Sequence, residues 1–156
     1  MKRVPLVLLI VCLVLPSCSK GGRPPGMPAL NPCTLKFSQD GAPLADAFIQ
    51  LIPEDESLRR WPVNGYTDSG GIAKMVTYGQ FPGVPVGHYA VVVRKTETIT
   101  IIEPTDYSKG EHEEYSLVDD KFADAKTSDI AIKIEKGKNE KSFDLGKAVR
   151  NRIDID

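Results

Sequence analysis

Apolar and polar residues alternate in short runs through the middle of this chain, and turn-forming residues separate the runs. In residues 45–52, Ala47, Ile49 and Leu51 share one face, while Phe48, Gln50 and Ile52 share the other. A period of two predicts a β-strand with one buried face. Similar patterns predict strands at residues 34–37 and 130–134, and a return strand through Phe143 and Leu145. Residues 88–95 are the most hydrophobic predicted strand, with Tyr89, Val91 and Val93 facing the core.

Turn signals connect these strands. Asp68-Ser69-Gly70-Gly71 lies in the middle of residues 64–78 and predicts a hairpin, because Asp braces a turn and Gly adopts positive φ. Gly137-Lys138-Asn139 turns the chain before the return strand. Residues 98–102 have strand propensity, but the proline and polar residues that follow predict an inserted loop.

The pattern as a whole predicts an all-β fold. No apolar pattern of period 3.6 continues for three turns, so any helix is one short piece around residues 117–125. Thirteen Gly and twelve Pro also favour a turn-rich β protein. About seven short strands with turns between them suit a β-sandwich, in which two packed sheets hide one apolar face each.

The N-terminus has the layout of a secretory signal. Lys2 and Arg3 precede twelve mostly apolar residues, 4–15. A helix of that length spans roughly 18 Å, well short of a hydrocarbon core of about 30 Å. The segment therefore predicts export rather than a permanent transmembrane anchor.

Residues 15–18 read LPSC and resemble the lipobox of bacterial lipoproteins. The resemblance implies cleavage before Cys18, lipidation of its thiol and a membrane partner reached through lipid chains. Ser19 is not the Asp that retains many lipoproteins in the inner membrane of enterobacteria, which favours outer-membrane placement. The alternative is an ordinary signal peptide with a chance cysteine, in which case Cys18 becomes free to pair with Cys33.

These signals divide the chain into four parts. Residues 1–17 are the predicted signal peptide, and residues 18–32 are a tether in which Gly and Pro oppose both helix and β-ladder. Residues 33–146 form the predicted β-sandwich domain. Residues 147–156 are a tail that frays or adds an edge strand through Ile153 and Ile155.

Three segments carry a resemblance to a known family. Residues 41–51 read GAPLADAFIQL, residues 66–72 read YTDSGGI, and residues 86–93 read VGHYAVVV. They are similar to the G-x-P-L-x-x-A-x-V-x-L opening, the T-D-x-x-G hairpin and the G-x-Y-x-V-x-V strand of carboxypeptidase regulatory-like domains. Residues 121–128 and 139–145 resemble a version found in small envelope lipoproteins of planctomycete-like bacteria.

The resemblance implies a transthyretin-like (prealbumin-like, Ig-like) Greek-key sandwich of seven strands. Its motifs are turn glycines and inward apolar positions, so they specify architecture and transfer no catalytic residue to this chain. One departure is visible, since residues 117–120 read LVDD where a proline often precedes the later segment.

Candidate catalytic and metal groups have simpler interpretations. The string around Ser69 is found at the nucleophile of chymotrypsin-like proteases, whose His and Asp precede the Ser, but His88 and His112 both follow it here. Hydroxyisourate hydrolase, a transthyretin-like enzyme, ends in a Tyr-Arg-Gly-Ser motif that this chain lacks.

Residues 111–114 read EHEE, yet neighbours on an extended chain cannot all face one ion, which favours a solvated loop over a metal site.

One aromatic group offers a possible ligand patch. Trp61, Tyr78 and Phe81 lie in loops near one predicted end of the sandwich, where exposed rings bind sugars or proteins. The alternative is that Trp61 covers the edge of the core. The formal net charge of −1 provides no basic field for nucleic acid.

The sequence thus predicts a non-catalytic, lipid-anchored cell-envelope protein that needs no cofactor and binds or scaffolds an envelope protein or glycan. The alternative function is a carbohydrate- or peptide-binding accessory module of an envelope enzyme system. A third class, a small hydrolase, lacks a set of catalytic groups.

Overall fold

The computed structural model describes residues 22–102 and 111–153. Within these ranges the protein is all-β, with several antiparallel sheets, two short 3-10 helices and no α-helix. No helix in the described chain is long and apolar enough to cross a bilayer. The predicted signal peptide and Cys18 lie outside the described residues.

The strands, in chain order, are β1 (Leu30–Asn31), β2 (Cys33–Gln39), β3 (Ala42–Pro43), β4 (Phe48–Pro53), β5 (Val63–Tyr66), β6 (Ile72–Lys74), β7 (Val76–Thr77), β8 (Phe81–Pro82), β9 (Val84–Pro85), β10 (Gly87–Arg94), β11 (Thr96–Ile102), β12 (Glu111–Ser116), β13 (Ala131–Ile134), β14 (Asn139–Asp144) and β15 (Asn151–Ile153). The 3-10 helices are η1 (Glu56–Leu58) and η2 (Asp120–Ala123).

Two larger sheets form the body of the protein. The first has the strand order β13-β10-β4-β5-β7-β8, and every pair in it is antiparallel. The second has the order β14-β2-β3, with β6 also paired to β2, and its β14–β2 pair is parallel. A third sheet, β11-β12-β15, is here called the extension.

Both sheets of the body contribute to one hydrophobic core, and this arrangement is consistent with a β-sandwich. Ile49, Leu51 and Val91 of the first sheet are almost fully buried in the same cluster as Phe37 and Phe143 of the second. The two phenylalanine rings stack with their centroids 5.4 Å apart. The predicted inward positions of β4 and β10 are confirmed, because alternating residues must point to opposite faces of a strand.

The predicted hairpin of residues 64–78 has the predicted turn, but its second arm is divided between sheets. Asp68 Oδ1 accepts hydrogen bonds from the backbone N–H groups of Gly70 and Ile72. Beyond the turn, β6 pairs with β2 in the second sheet, and β7 returns to β5 in the first. Met75 stands at the division, with its side chain buried and its N–H bonded to the Cys33 carbonyl.

The turn at residues 137–139 also joins two sheets rather than two arms of a hairpin. β13 pairs with β10, whereas β14 pairs in parallel with β2. Periodicity locates a strand but cannot identify its partner, because an alternating pattern needs only a buried face.

Residues 96–102 and 111–116 form strands, whereas an inserted loop was predicted after residue 102, and residues 103–110 lie outside the described residues. β11 and β12 pair with each other in antiparallel register, and β15 pairs with β12. Of the two alternatives for the tail, the structure has the edge strand, β15 at Asn151–Ile153, while Ile155 lies outside the described residues. The short helix expected around residues 117–125 is η2, whose Phe122 is buried.

The predicted tether is also more ordered at its end than its composition indicated. Leu30 and Asn31 form β1, which pairs with Pro85 and Val84 of β9. Local propensity opposes a ladder here, but tertiary pairing supplies one.

Candidate functional site

The two ends of the body are formed by different segments of the chain. β2 begins at Cys33, beside Asn139 and Met75, and ends at Gln39, whose side-chain amide donates to the Leu117 carbonyl. We call the end near Cys33 the tether end, because β1 leads into it. The opposite end, near Gln39, is called the far end. The register of the pairs places η1, the 78–86 segment and the 135–138 turn at the tether end.

The tether end holds the predicted aromatic group. Trp61 is only 7% exposed, and Tyr78 packs edge-on against it with the ring centroids 5.9 Å apart. The Arg60 guanidinium lies 4.7 Å from the Trp61 ring centroid. Tyr78 itself is 51% exposed, and Phe81 is half-buried.

The structure therefore brings Trp61 and Tyr78 together and gives them different surroundings. Trp61 closes the edge of the body, and its backbone N–H donates to the Leu58 carbonyl at 2.9 Å. The surface that this group offers to a ligand belongs mainly to Tyr78, with a contribution from Phe81. Tyr78 is held at positive φ (55°), with its N–H donating to the Pro62 carbonyl at 2.7 Å, so its backbone position is well defined.

A groove that the sequence did not predict lies on the outer face of β4. Its volume is about 420 Å³. Ile52, Pro53 and Pro62 contribute apolar surface. Arg59 and Lys126 add cationic groups, and Asp124 adds a carboxylate. The one sign of this groove in the sequence was the outward position of Ile52 in an alternating strand. Such a position does not reveal which loop lies beside the strand.

The extension begins at the far end, where Leu117 N–H donates to the Lys95 carbonyl. Every residue of β11 is exposed, including Ile99, Ile101 and Ile102. β11 is also an edge strand, since it pairs with β12 alone among the described strands. An exposed edge of this kind offers unpaired backbone groups to another chain.

Charged and aromatic side chains are linked across one part of the extension. Arg150 contacts the Glu97 carboxylate at 3.1 Å and lies over the Tyr115 ring, 3.7 Å from its centroid. The Tyr115 hydroxyl donates to Glu113 at 2.6 Å, and Arg152 contacts the same carboxylate at 2.9 Å. The hydrogen bond to the Glu113 carboxylate raises the pKa of the Tyr115 phenol, because the neutral phenol is the donor.

The residues considered for catalysis are not assembled into a site. Ser69 lies in the turn braced by Asp68 at the far end, whereas His88 is on β10 next to the tether end. His112 lies in the extension, where its Nδ1 is 3.2 Å from Thr100 Oγ1. Among the side chains of residues 22–102 and 112–153, no group of three or more His, Cys, Asp and Glu could hold a metal ion.

Cys33 is a buried free thiol at the start of β2. Burial raises its pKa from 9.0 to about 12, so at neutral pH it is protonated and poorly nucleophilic. It packs as a core residue rather than serving as a reactive group.

Comparison with protein-family models, with curated proteins and with solved structures found no match for this chain.

Proposed function

We propose that this protein is a lipid-anchored component of a bacterial cell envelope that presents a non-catalytic β-sandwich for binding or scaffolding. The proposed anchor is the thiol of Cys18, within the lipobox-like LPSC segment. The observation that best supports presentation is the placement of β1 and the extension at opposite ends of the body. A protein anchored through its N-terminus would thus carry an exposed edge strand on the side away from the anchor.

The same proposal includes a seven-stranded Greek-key sandwich similar to transthyretin-like domains. The strand order β5-β4-β10-β13 in one sheet, opposite β6-β2-β14 in the other, supports it. The chain passes between the two sheets after β3, β5, β6 and β13, and crossings of this kind are found in Greek-key sandwiches. The remaining strands are short additions to this frame or belong to the extension.

Replacing the anchor residue tests the proposal directly. Cys18→Ser should abolish incorporation of labelled fatty acid and move the protein from the membrane fraction to the soluble fraction. Cys12→Ser is the matched control, because residue 12 lies in the predicted signal peptide and would leave with it. Membrane partition that is unchanged by Cys18→Ser, or labelling that is unchanged, would refute the lipid anchor.

A second candidate function, recognition of a glycan or peptide for a separate envelope enzyme, is favoured by the exposed ring of Tyr78. Tyrosine combines a large apolar face with a polar hydroxyl, which suits sugar and peptide contacts. We expect Tyr78→Ala to abolish binding of an envelope glycan in a glycan array, with the fold retained by circular dichroism. Tyr66→Ala is the control, because Tyr66 is 69% exposed but lies on β5 toward the far end.

A further inference from the structure

Contacts with the body hold the chain well before β2 begins. β1 pairs with β9, and Gly137 N–H donates to Asn31 Oδ1 at 3.0 Å. Farther back, Gly26 packs against Arg60 so closely that a Cβ at residue 26 would lie 2.9 Å from the guanidinium Nη2. The length of chain that sets the distance between a lipid and the body is therefore counted from Gly26 rather than from Cys33.

That length is short. Eight peptide steps separate Cys18 from Gly26, and a fully extended chain spans at most about 3.6 Å per step, or about 29 Å in all. β10, with eight residues, is about 26 Å long by itself at about 3.3 Å per residue. A lipid on Cys18 would keep the tether end within about 29 Å of the anchored residue. That reach is similar to the length of the body, so the orientation depends on the surface chemistry of the two ends.

The chemistry of the tether end suits a membrane surface. Tyr78 and Val86 are 51% and 48% exposed there. Tyrosine is enriched where hydrocarbon meets water, because its ring is apolar and its hydroxyl is polar. Packing against Trp61 already orders the Tyr78 ring, so little side-chain entropy remains to be lost on contact with lipid.

The turns of the far end are acidic, although Tyr66 is 69% exposed on β5 toward the same end. Its turns carry the exposed carboxylates of Asp40, Asp46, Asp68 and Asp144. Carboxylates are strongly hydrated, and anionic lipid headgroups repel them. Contact between this end and a bilayer would therefore be less favourable than contact through Tyr78 and Val86.

We infer that the tether end rests on the lipid surface through Tyr78 and Val86, while the far end and the extension point away from the membrane. This inference deepens the proposed function and rests on it, since it requires the anchor at Cys18. Charges at the tether end offset one another. Residues 54–60 carry three carboxylates and two arginines, and the 135–138 turn carries one carboxylate and two lysines. We therefore expect the tether end to contact a bilayer of zwitterionic lipid even when anionic headgroups are absent.

The test uses the full-length lipidated protein in phosphatidylcholine vesicles that contain a lipid with a nitroxide on its headgroup. A fluorescent label is attached at Gln80→Cys, in the turn beside Tyr78, or at Ser69→Cys, in the turn at the far end. Both positions are exposed turn residues, so they form a matched pair. Cys33 does not compete for the label, since it is buried and its thiol is protonated at neutral pH.

We expect the nitroxide lipid to quench the label at Gln80→Cys several-fold more strongly than the label at Ser69→Cys. Adding Tyr78→Ser to Gln80→Cys should reduce that quenching, whereas Tyr66→Ser should leave it unchanged. Circular dichroism verifies that each variant is folded.

The possible failures are distinguishable. A lipidated protein that floats with the vesicles and shows equal quenching at both positions overturns the orientation but leaves the anchor intact. Quenching that Tyr78→Ser does not change overturns the assigned contact surface. A protein that does not float with the vesicles at all refutes the anchor, and the inference fails with it.

Discussion

The side chain of Asn31 joins the end of the tether to a turn 106 residues away in the sequence. Its Oδ1 accepts a hydrogen bond from the Gly137 backbone N–H at 3.0 Å, and its Nδ2 lies 3.4 Å from the Val84 carbonyl. One amide thus links β1, β9 and the turn between β13 and β14. The chain enters the body in a fixed position because of these contacts.

Asn31→Ala should weaken the contacts that hold β1 against the body. We expect the free energy of unfolding to fall by about 1 kcal/mol, the usual net value of one hydrogen bond to a partly buried group. Amide exchange at Leu30 and Asn31 should increase together with this loss. Asn151→Ala serves as the control, because the Asn151 side chain contacts Asp120 at 3.4 Å at an exposed site on β15, which does not pair with β1. Equal effects of the two substitutions on β1 exchange would contradict the prediction.

Two glycines with similar backbone angles should differ in their tolerance of a methyl group. Gly71 (φ +73°) lies against the second sheet, where a Cβ would collide with the Phe37 carbonyl oxygen, whereas a Cβ at Gly41 (φ +75°) would meet open space. The left-handed conformation alone costs about 1–2 kcal/mol for a non-glycine residue. We expect Gly41→Ala to cost about that amount and Gly71→Ala to cost clearly more, as measured by urea denaturation. If both substitutions lowered the free energy of unfolding equally, the turn at Gly71 would accommodate a Cβ without additional strain.

The stability of the protein should fall in alkaline solution. Burial raises the pKa of Cys33 to about 12, whereas the thiol of the unfolded chain titrates near 9.0. Burial raises the pKa of the Tyr89 phenol as well. Above about pH 9 the unfolded state releases protons that the folded state retains, so rising pH favours unfolding, and the stabilisation is fully present only below that value.

Comparing the free energy of unfolding at about pH 8 and about pH 10 measures this effect. Cys33→Ala should make the loss smaller, although the substitution also removes some packing at both pH values. A loss of the same size in the variant would mean that Cys33 does not cause the pH dependence.

The extension should depend on Arg150 more than the body does. Arg150→Ala removes both the contact with Glu97 and the stacking over Tyr115. We expect several-fold faster amide exchange in β11 and β12, with little change in the thermal midpoint of the body. Arg59→Ala removes an exposed pair with Glu56 at 3.5 Å and should leave exchange in the extension unchanged. Uniform acceleration throughout the protein would argue that the extension and body unfold as one unit.

Much of the fold was predictable because it depends on local patterns. The alternation of Ala47, Ile49 and Leu51, and of Tyr89, Val91 and Val93, identified two central strands and their buried faces. Asp68 marked a turn through a side-chain cap that operates over four residues. The candidate site was harder to predict from the sequence, because the burial of Trp61 and the exposure of Tyr78 depend on loops that come together only in the folded structure.

By itself, the sequence determined that the chain is all-β and where most strands and turns occur, since periodicity and turn chemistry act between near neighbours. Only the tertiary structure decided that residues 64–78 divide between two sheets, that β14 lies parallel to β2, and that β11, β12 and β15 form a sheet of their own. The physical reason is that an alternating strand must bury one face and satisfy its backbone groups, but many partners can meet those needs. The choice among them is made by long-range contacts such as Phe37 with Phe143 and Asn31 with Gly137.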